Sequence, residues 1–537
     1  MTQPQSKQVR VAAAQFYTGT DVAANLATVL RMIGQAAEFH PDILVLPEFC
    51  NHSSWYRDRD YSYQVTVELD AEDPFLEAVG RKVAEVGFYV MVNCTVRRPN
   101  QTVTGTNILF DPTGQIIAHS DKQVLMGNEN NFLTKAQEVC PIIETPHGKI
   151  GMYSCMDGVI FETPRSLALR GGQILLNSLN SFALDEASLH VPTRAGENKV
   201  FIVAANKVGL LVPEPMAEAI AERVKLRPDQ LHGAGESQIV APDGTVLAKA
   251  PLYGEVVIYA DIDPTLADDK CRPDGTDLFA ARTPERYTPL AQPPKPRDMP
   301  PAAPKITAAV VTDETLLTDT LTQYTDLALI VLPPDTLTDN PEVWAERLRQ
   351  HDTEAVIASA DTDGGGFFIS RAGVTRCLSL KDAPLTTLDL PWGRVALLSG
   401  TDAQQPEAFR LCALHEVQVV VCPVQVQEAW ELGTAYPERA AENRMSVIVA
   451  TPSTPVGTSS SIAASAIITI SEDFTLWTEW KNRPFDGSIN APIVTRMDEN
   501  KQRLVTELYP ANSANRLVSQ QTDVVDGRPY WLLEALL

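Results

Sequence analysis

The chain has 537 residues, of which 44% are hydrophobic and 21% are charged, a composition typical of a globular protein with more than one core. Its formal net charge of -24 argues against nucleic acids and anionic membranes as partners, because both require a basic surface. No apolar run approaches the roughly 18 residues that span a bilayer, and the N-terminal residues lack a signal pattern, which predicts a cytoplasmic protein. The eight cysteines show no paired spacing, so we expect neither a disulfide framework nor a metal site.

The first predicted elements bring a carboxylate to the end of a strand. Residues 9–16 are apolar and β-branched, which predicts a strand, and residues 22–39 have the periodicity of an amphipathic helix. A second strand, 42–46, leads directly to Glu48. Glu48 is therefore predicted to lie at the edge of a sheet, where strand ends and loops commonly carry functional groups.

The loop that follows Glu48 is dense in aromatic and charged side chains. It covers residues 50–63 and includes Trp55 and Tyr56. A loop of this composition beside an acidic residue predicts a pocket wall, although such aromatics also pack loops down without binding anything.

Further along the chain, a lysine and a second acid follow another strand. Residues 73–86 are predicted to form a helix, 89–96 a strand and 106–118 a hairpin. Lys122 comes after the last of these strands, and Glu129 lies seven positions beyond it. The alternation of strands and helices predicts a layered α/β domain.

The central stretch of the sequence runs from Gly148 to Glu162 and contains a cysteine. Its apolar residues predict a buried strand that stops at Cys155 and turns sharply into a helix over 162–170. A helix N-terminus at this position is expected to lower the thiol pKa and to stabilise an oxyanion. The backbone N–H of Met156 is the expected oxyanion donor.

Glu48, Lys122 and Cys155 in this chain order, each at a strand end, resemble the signature of the nitrilase or carbon-nitrogen hydrolase superfamily. The resemblance covers residues 9–290, and Glu129 matches a second active-site glutamate of the family's amidases. It implies an α-β-β-α sandwich in which Cys155 is the nucleophile, Glu48 the base and Lys122 an oxyanion donor. It also implies that Glu129 holds the substrate or the geometry of Glu48 and Lys122.

The second half of the chain is a degenerate copy of the first. Residues 393–407 align with 148–162 without a gap at an offset of 245 (400 minus 155), which places Gly400 where Cys155 stands. Pro334 aligns with Glu48, and Lys381 is a candidate counterpart of Lys122. We therefore expect two tandem nitrilase-like α-β-β-α sandwich domains, of which the second lacks catalytic residues.

Eight prolines between 284 and 304 predict an extended linker. The predicted domains are a catalytic domain over 1–283 and a degenerate one over 305–537. Because family domains pair into homodimers through a helical face, the two domains are expected to form a pseudodimer within one chain. Further association of whole chains stays open.

The sequence favours hydrolysis of a small neutral amide, with no cofactor. Met156 and Asp157 resemble the amidase and carbamoylase pattern, and the arginines with which family carbamoylases bind a substrate carboxylate are replaced by Gly158 and Val159. The alternatives are a nitrilase, an N-carbamoyl hydrolase, an acyl transferase and a non-catalytic binding or regulatory protein. The eight histidines are treated as ordinary polar residues. The remaining candidate pocket residues are Trp55, Tyr56, Asn177, Asn180 and Phe182.

Overall fold

The computed structural model describes residues 8–69, 72–361, 364–452, 465–472, 486–498 and 501–537. Four six-stranded sheets form the framework, two in each half of the chain. None of the helices in these ranges is long and apolar enough to cross a membrane.

The first domain is a sandwich of two sheets. The strands of the first sheet lie in the order β12-β1-β2-β3-β4-β5. Their bounds are β1 Val9–Gln15, β2 Ile43–Val45, β3 Tyr89–Arg97, β4 Val103–Phe110, β5 Ile116–Asp121 and β12 Val256–Ile262. The second sheet has the order β11-β10-β9-β8-β7-β6, with β6 Ile143–Thr145, β7 Gly148–Ser154, β8 Ile174–Ser178, β9 Phe201–Ala205, β10 Gln238–Val240 and β11 Val246–Lys249. Parallel pairing of β1 with β2 and of β7 with β8 brings their carboxyl ends together at one edge.

Helices cover the outer faces of both sheets. The first sheet carries α1 Val22–Ala36 and α3 Pro74–Val86, and the second carries α5 Glu162–Leu169 and α6 Val191–Asn198. Both α1 and α3 begin where the sequence supplies a cap, because Asp21 and Asp73 accept backbone N–H groups of the first turn. The remaining helices of this domain are α2 Arg59–Gln64, α4 Met156–Val159 and α7 Ala217–Val224. The four layers are those of the predicted α-β-β-α sandwich, which is confirmed.

The second domain repeats this plan strand for strand. Its first sheet has the order β17-β16-β15-β14-β13-β24 and its second the order β18-β19-β20-β21-β22-β23, so each strand has its counterpart twelve strands earlier. The strands of the first sheet are β13 Ile306–Val311, β14 Leu327–Val331, β15 Val356–Ala360, β16 Gly366–Ser370, β17 Gly373–Cys377 and β24 Arg503–Leu508. Those of the second are β18 Thr387–Leu390, β19 Gly393–Leu397, β20 Val419–Pro423, β21 Ser446–Ala450, β22 Ala466–Thr469 and β23 Ile493–Arg496. The helices are α8 Leu317–Gln323, α9 Pro341–Gln350, α10 Pro406–Leu414 and α11 Tyr436–Asn443.

Helices α5 and α6 of the first domain contact α10 and α11 of the second through buried ion pairs. Arg165 contacts Glu407 at 2.9 Å, and the equivalent pair formed by exchanging the domains, Arg410 with Glu162, is also 2.9 Å. The same reciprocity relates the pairs Arg194–Glu442 and Arg439–Glu197. Pairing of residue i with j, and of j with i, is the mark of an interface with two-fold symmetry.

Two local expectations differ from the structure. The segment 284–304 is not extended throughout, because Pro284–Arg286 and Thr288–Ala291 form single 3-10 turns that bury Leu290 against the second domain. The loop after Glu48 contains the unpredicted helix α2, which begins at the side-chain cap of Asp58. In both segments local hydrogen bonds and tertiary packing outweigh a composition typical of loops.

Candidate active site

Cys155 occupies a strained turn between β7 and the short helix α4. Its backbone angles, φ of 45° and ψ of -106°, lie outside the regions that residues other than glycine normally occupy. The backbone N–H of Cys155 donates to Ser178 O at 3.0 Å and to Asn177 Oδ1 at 3.1 Å, which holds the turn in place. Gly400, at the equivalent position of the second domain, also has a positive φ of 54°. The turn is thus a property of the fold, and Cys155 accepts a strain on the order of 1–3 kcal/mol that glycine avoids.

Lys122 lies between the carboxylates of Glu48 and Glu129. Its Nζ is 2.9 Å from Glu48 Oε1 and 2.8 Å from Glu129 Oε2, and the side chains of Lys122 and Glu48 are fully buried. Glu129 also accepts the backbone N–H of Met126 at 2.9 Å, which fixes its orientation. The Oε2 atom of Glu48 has no hydrogen-bond partner among the described residues, so it is available as a proton acceptor.

Burial governs the ionisation of these groups. Burial raises the pKa of Glu48 to about 8, because the charge of Lys122 opposes this effect only in part and the charge of Glu129 adds to it. Burial alone would lower the pKa of Lys122, but the two carboxylates hold it well above its usual range. Lys122 is therefore a fixed cation, while Glu48 changes its charge within the physiological pH range.

The expectation that the helix N-terminus lowers the thiol pKa is wrong. Burial and the charge of Glu48 raise the pKa of Cys155 well above its usual value. Helix α4 has only four residues, Met156–Val159, so its dipole is too small to offset these effects. The resting nucleophile is a neutral thiol, and its activation requires a base.

A buried polar network connects the Glu48 loop to the Cys155 strand. Asn93 accepts the backbone N–H of Phe49 at 2.9 Å and donates to Asn107 Oδ1 at 2.9 Å and to Ser154 Oγ at 3.1 Å. Phe49 has a positive φ of 56°, so this hydrogen bond stabilises a second strained residue beside a candidate catalytic group.

Asp157 makes the corresponding connection to the Lys122 loop. Its Oδ1 accepts the backbone N–H groups of Gln123 at 3.0 Å and Val124 at 2.7 Å. Because Asp157 lies two residues after Cys155, it fixes the position of Lys122 relative to the thiol.

Cys155 lines a cavity of about 150 Å³, whereas the fully buried Glu48 and Lys122 are not among its lining residues. At roughly 10–15 Å³ for each water molecule, this space suits a small molecule of on the order of ten non-hydrogen atoms. Cys155 and Glu129 line the cavity, together with four of the residues predicted from the sequence: Trp55, Met156, Asn180 and Phe182.

Two predicted pocket residues do not line this cavity. Asn177 accepts the N–H of Cys155 instead, since its side chain extends from β8 toward the turn. The ring of Tyr56 packs between His52 and Phe132, at centroid distances of 5.4 and 5.5 Å. Both residues therefore stabilise the surrounding structure and do not contact the space of the cavity.

One corner of the cavity, formed by Asp185, Glu186 and His190, was not predicted from the sequence. The thiol of Cys155 lies 3.8 Å from Glu186 Oε1, and burial raises the pKa of Glu186 to about 7. His190 is no ordinary polar residue. Burial lowers its pKa, but Glu438, 2.8 Å away, together with the charges of Asp185 and Glu186 outweighs burial and raises the pKa to about 9. Glu431 stands at the position of the second domain that is equivalent to Glu186, so a comparison of the two copies does not single out Glu186.

Among its described residues, the second domain has no counterparts of Cys155, Glu48 and Lys122. Gly400 replaces Cys155, and Pro334 stands three residues after β14, as Glu48 does after β2. Asp402, the counterpart of Asp157, accepts the backbone N–H of Leu380, so Leu380 corresponds to Gln123 or Val124. Lys381 is therefore not the counterpart of Lys122, and it lies exposed on the surface.

Residues 10–270 match the model of the family described as carbon-nitrogen hydrolase. This half of the chain belongs to that family. A nitrilase of Pyrococcus abyssi is 26% identical over 265 residues, which cover 49% of this chain and 92% of the relative. A probable nitrilase of Schizosaccharomyces pombe is also 26% identical, with coverages of 51% and 94%. Among solved structures, a mutant of the amidase from Nesterenkonia sp. AN1 with acrylamide added to its active-site cysteine is 20% identical, with a TM-score of 0.41 and coverages of 49% and 96%.

The carbon-nitrogen hydrolase domain thus places Cys155 and Glu129 in the cavity wall, and the buried Lys122 links Glu129 to Glu48. The family resemblance expected from the sequence is confirmed, and the domain is a hydrolase of the nitrilase superfamily.

Proposed function

We propose that this domain is a thiol amidohydrolase, which cleaves a small neutral amide to a carboxylic acid and ammonia or an amine. The observation that carries the proposal is the placement of Lys122 between Glu48 and Glu129, beside a thiol on a strained turn. A binding pocket has no need of a nucleophile, a base and a buried cation together.

In the first step the Sγ of Cys155 attacks the amide carbon, and Glu48 takes the thiol proton. Burial raises the pKa of Cys155, which makes the thiol harder to ionise, but it also raises the pKa of Glu48, which makes this carboxylate a better proton acceptor. Transfer of the proton from the thiol to Glu48 therefore costs less than its release to solvent. The tetrahedral intermediate then expels the amine nitrogen, which receives the same proton from Glu48.

The negative charge that develops on the carbonyl oxygen needs donors. Lys122 Nζ is one, and the N–H of Met156 is the other, since the first residue of a helix has no partner within the helix. Loss of one such donor commonly costs about 2.7–4 kcal/mol of transition-state stabilisation.

The second half of the reaction hydrolyses the thioester. Glu48 removes a proton from water, the hydroxyl attacks the acyl carbon, and the sulfur leaves and regains a proton. The products are the carboxylic acid and the free thiol, so the enzyme returns to its starting state.

The cavity favours an uncharged substrate. None of its described lining residues is an arginine or a lysine, and Asp185, Glu186 and Glu129 give it an acidic character. His190 lines the cavity as a cation but is already paired with Glu438, so a substrate carboxylate would lose its hydration without gaining a free cationic partner, which disfavours N-carbamoyl amino acids. Nitriles are the second candidate, because relatives of this domain carry the name nitrilase.

We also propose that the second domain takes the place of a partner subunit. The reciprocal ion pairs between α5 and α6 on one side and α10 and α11 on the other support an intrachain pseudodimer. The mass of the particle in solution, measured by light scattering, tests this proposal. Association of two chains through the same helices, in place of the ion pairs within each chain, would contradict it.

The first experiment measures ammonia release from small amides, nitriles and N-carbamoyl amino acids by the wild type and by Cys155→Ala. Cys271→Ser is the matched control, because Cys271 is exposed whereas Cys155 is buried. We expect release from neutral amides that Cys155→Ala abolishes and Cys271→Ser leaves intact. Mass spectrometry of the quenched reaction should find an acyl group on Cys155.

Two further variants identify the base. Glu48→Gln should abolish turnover, whereas Glu186→Gln should retain it, although Glu186 lies 3.8 Å from the thiol. The opposite result would assign the proton transfer to Glu186. Trapping of the acyl group by hydroxylamine faster than by water would favour acyl transfer, and binding of amides without any turnover would favour a binding protein.

A further inference from the structure

The wall of the active-site cavity is not built by the hydrolase domain alone. Four of the described residues of the second domain line it: Ile489, Asn490, Val518 and Ser519. The domain without catalytic residues therefore contacts the space in which a substrate would bind.

The segment 486–490 is firmly docked on the first domain. The N–H of Leu184 donates to Gly487 O at 2.9 Å, and the N–H groups of Ile489 and Asn490 donate to Asp185 Oδ2 at 3.2 and 2.5 Å. Gly487 has a φ of 102°, and a Cβ there would meet the side chain of Leu184 at 2.4 Å. Only glycine permits this close approach.

This segment belongs to a connection that the two domains do not share. In the first domain, β10 and β11 are joined by the five residues 241–245. In the second domain, the equivalent strands β22 and β23 are joined by the 23 residues 470–492. The connection is thus 18 residues longer (23 minus 5), and its last part extends to the cavity of the other domain.

The side chain of Asn490 lies in the cavity wall, and both of its polar atoms lack a partner in the part of the chain that the structure describes. It is 3% exposed, and neither its Nδ2 nor its Oδ1 has a hydrogen-bond partner among the described residues. The neighbouring acidic corner contributes two more such atoms, Asp185 Oδ1 and Glu186 Oε2. Buried polar atoms are normally paired, so an unpaired donor and three unpaired acceptors at one cavity indicate a ligand that pairs with them.

We propose that Asn490, supplied by the second domain, binds an uncharged polar group on the substrate that both donates and accepts hydrogen bonds, such as a hydroxyl or a second carboxamide. The inference rests on the proposed amidase function. Such a group accepts from Asn490 Nδ2 and donates to Asn490 Oδ1 or to the carboxylates of Asp185 and Glu186. An ammonium group would satisfy the acceptors but leave Nδ2 unpaired, and a carboxylate would meet two acidic side chains, because His190 in this corner is already paired with Glu438.

The test compares butyramide with 4-hydroxybutyramide and succinamide, which have the same chain length and add the polar group. The enzymes are the wild type, Asn490→Leu, Asn490→Asp and the control Ser488→Ala. Asn490→Leu keeps the branched shape and removes the polar atoms, whereas Asn490→Asp keeps the shape and removes the donor. Ser488 lies in the same segment and is half-buried, but it does not line the cavity.

We expect the wild type and Ser488→Ala to prefer the polar amides over butyramide by about 10-fold or more in kcat/KM. Asn490→Leu and Asn490→Asp should lose this preference, mainly through KM, while turnover of butyramide changes less than about 3-fold. Butyramide turnover within about 3-fold of the wild type shows that the hydrolase domain is still folded, so the loss cannot be attributed to unfolding.

Two results would overturn the proposal. One is an unchanged preference in both Asn490 variants, and the other is a preference for 4-aminobutyramide that depends on Asn490. If no amide is hydrolysed by any enzyme, the proposed function fails, and calorimetry then decides about Asn490 separately. Binding of succinamide to Cys155→Ala that Asn490→Leu weakens at least about 10-fold would support the inference, and equal binding would refute it.

Discussion

The raised pKa of Glu48 predicts an unusual pH dependence for a glutamate-based hydrolase. The base must be ionised to take the thiol proton, so activity is lost as the pH falls through the pKa of Glu48 in the free enzyme. Burial and the charge of Glu129 raise this pKa to about 8, even though Lys122 lies 2.9 Å away. With a neutral amide as substrate, the acidic limb of kcat/KM should therefore lie near pH 8.

The size of the effect follows from the ionised fraction. At about pH 6, two units below this pKa, about 1% of Glu48 is ionised, and kcat/KM should fall to about one-hundredth of its plateau. A glutamate with its ordinary pKa of about 4.3 would be almost fully ionised at the same pH, so activity would stay at the plateau. The two cases differ by about two orders of magnitude.

The perturbation that tests the cause is Glu129→Gln. The carboxylate of Glu129 raises the pKa of Glu48, so its removal should move the acidic limb toward lower pH, while the amide oxygen can still accept from Lys122. The assay measures initial rates of ammonia release from about pH 5 to about pH 10. Glu77→Gln is the control, because Glu77 pairs with Arg81 on the surface of α3.

An acidic limb between about pH 4 and 5 in the wild type would refute the argument, because it would mean that Glu48 ionises as an exposed carboxylate does. A limb that lies near pH 8 and does not move in a folded Glu129→Gln variant would refute the electrostatic part alone.

Three further predictions concern stability and geometry. Because the pKa of His190 is raised from 6.5 to about 9, its protonation should contribute on the order of 3 kcal/mol to the free energy of unfolding below about pH 6.5. This contribution is lost as the pH rises through about 9, so the free energies of unfolding of the wild type and His190→Gln, measured by denaturant titration, should converge at high pH. Glu407→Ala leaves Arg165 buried without its carboxylate and should lower the free energy of unfolding by about 3–5 kcal/mol in chemical denaturation, and an effect below about 1 kcal/mol would contradict the burial of this pair. Asp157→Ala removes the acceptor of two backbone N–H groups beside Lys122 and should lower kcat by about 10-fold or more with the fold retained by circular dichroism, whereas Asp157→Asn should retain more activity.

Sequence alone was sufficient for the family and the fold. The strand ends that carry Glu48, Lys122 and Cys155 follow from local patterns, and the gapless repeat predicts the second sandwich. Local patterns also predict the sharp turn at Cys155, but the helix that directly follows the turn is the unpredicted α4, and the helix predicted over 162–170 corresponds to α5.

What the sequence could not supply depends on contacts between distant segments. The raised pKa of Cys155 results from burial by the whole domain, and Asn490 lies more than 300 residues from the thiol that shares its cavity. Asn177 was misassigned because strand periodicity does not tell whether a side chain faces the cavity or supports the backbone of a neighbouring turn. Such distinctions require the register and twist of both sheets.

The covalent connection between the two sandwiches has a consequence for how the active site could arise. If separate genes encoded the two copies, subunits would assemble at random, and pairs of two active or two inactive copies would form alongside mixed ones. Joining them through residues 284–304 fixes a ratio of one to one in every molecule. Each copy was then free to diverge for its own task, and the lengthened connection of the second needed to fit only one cavity.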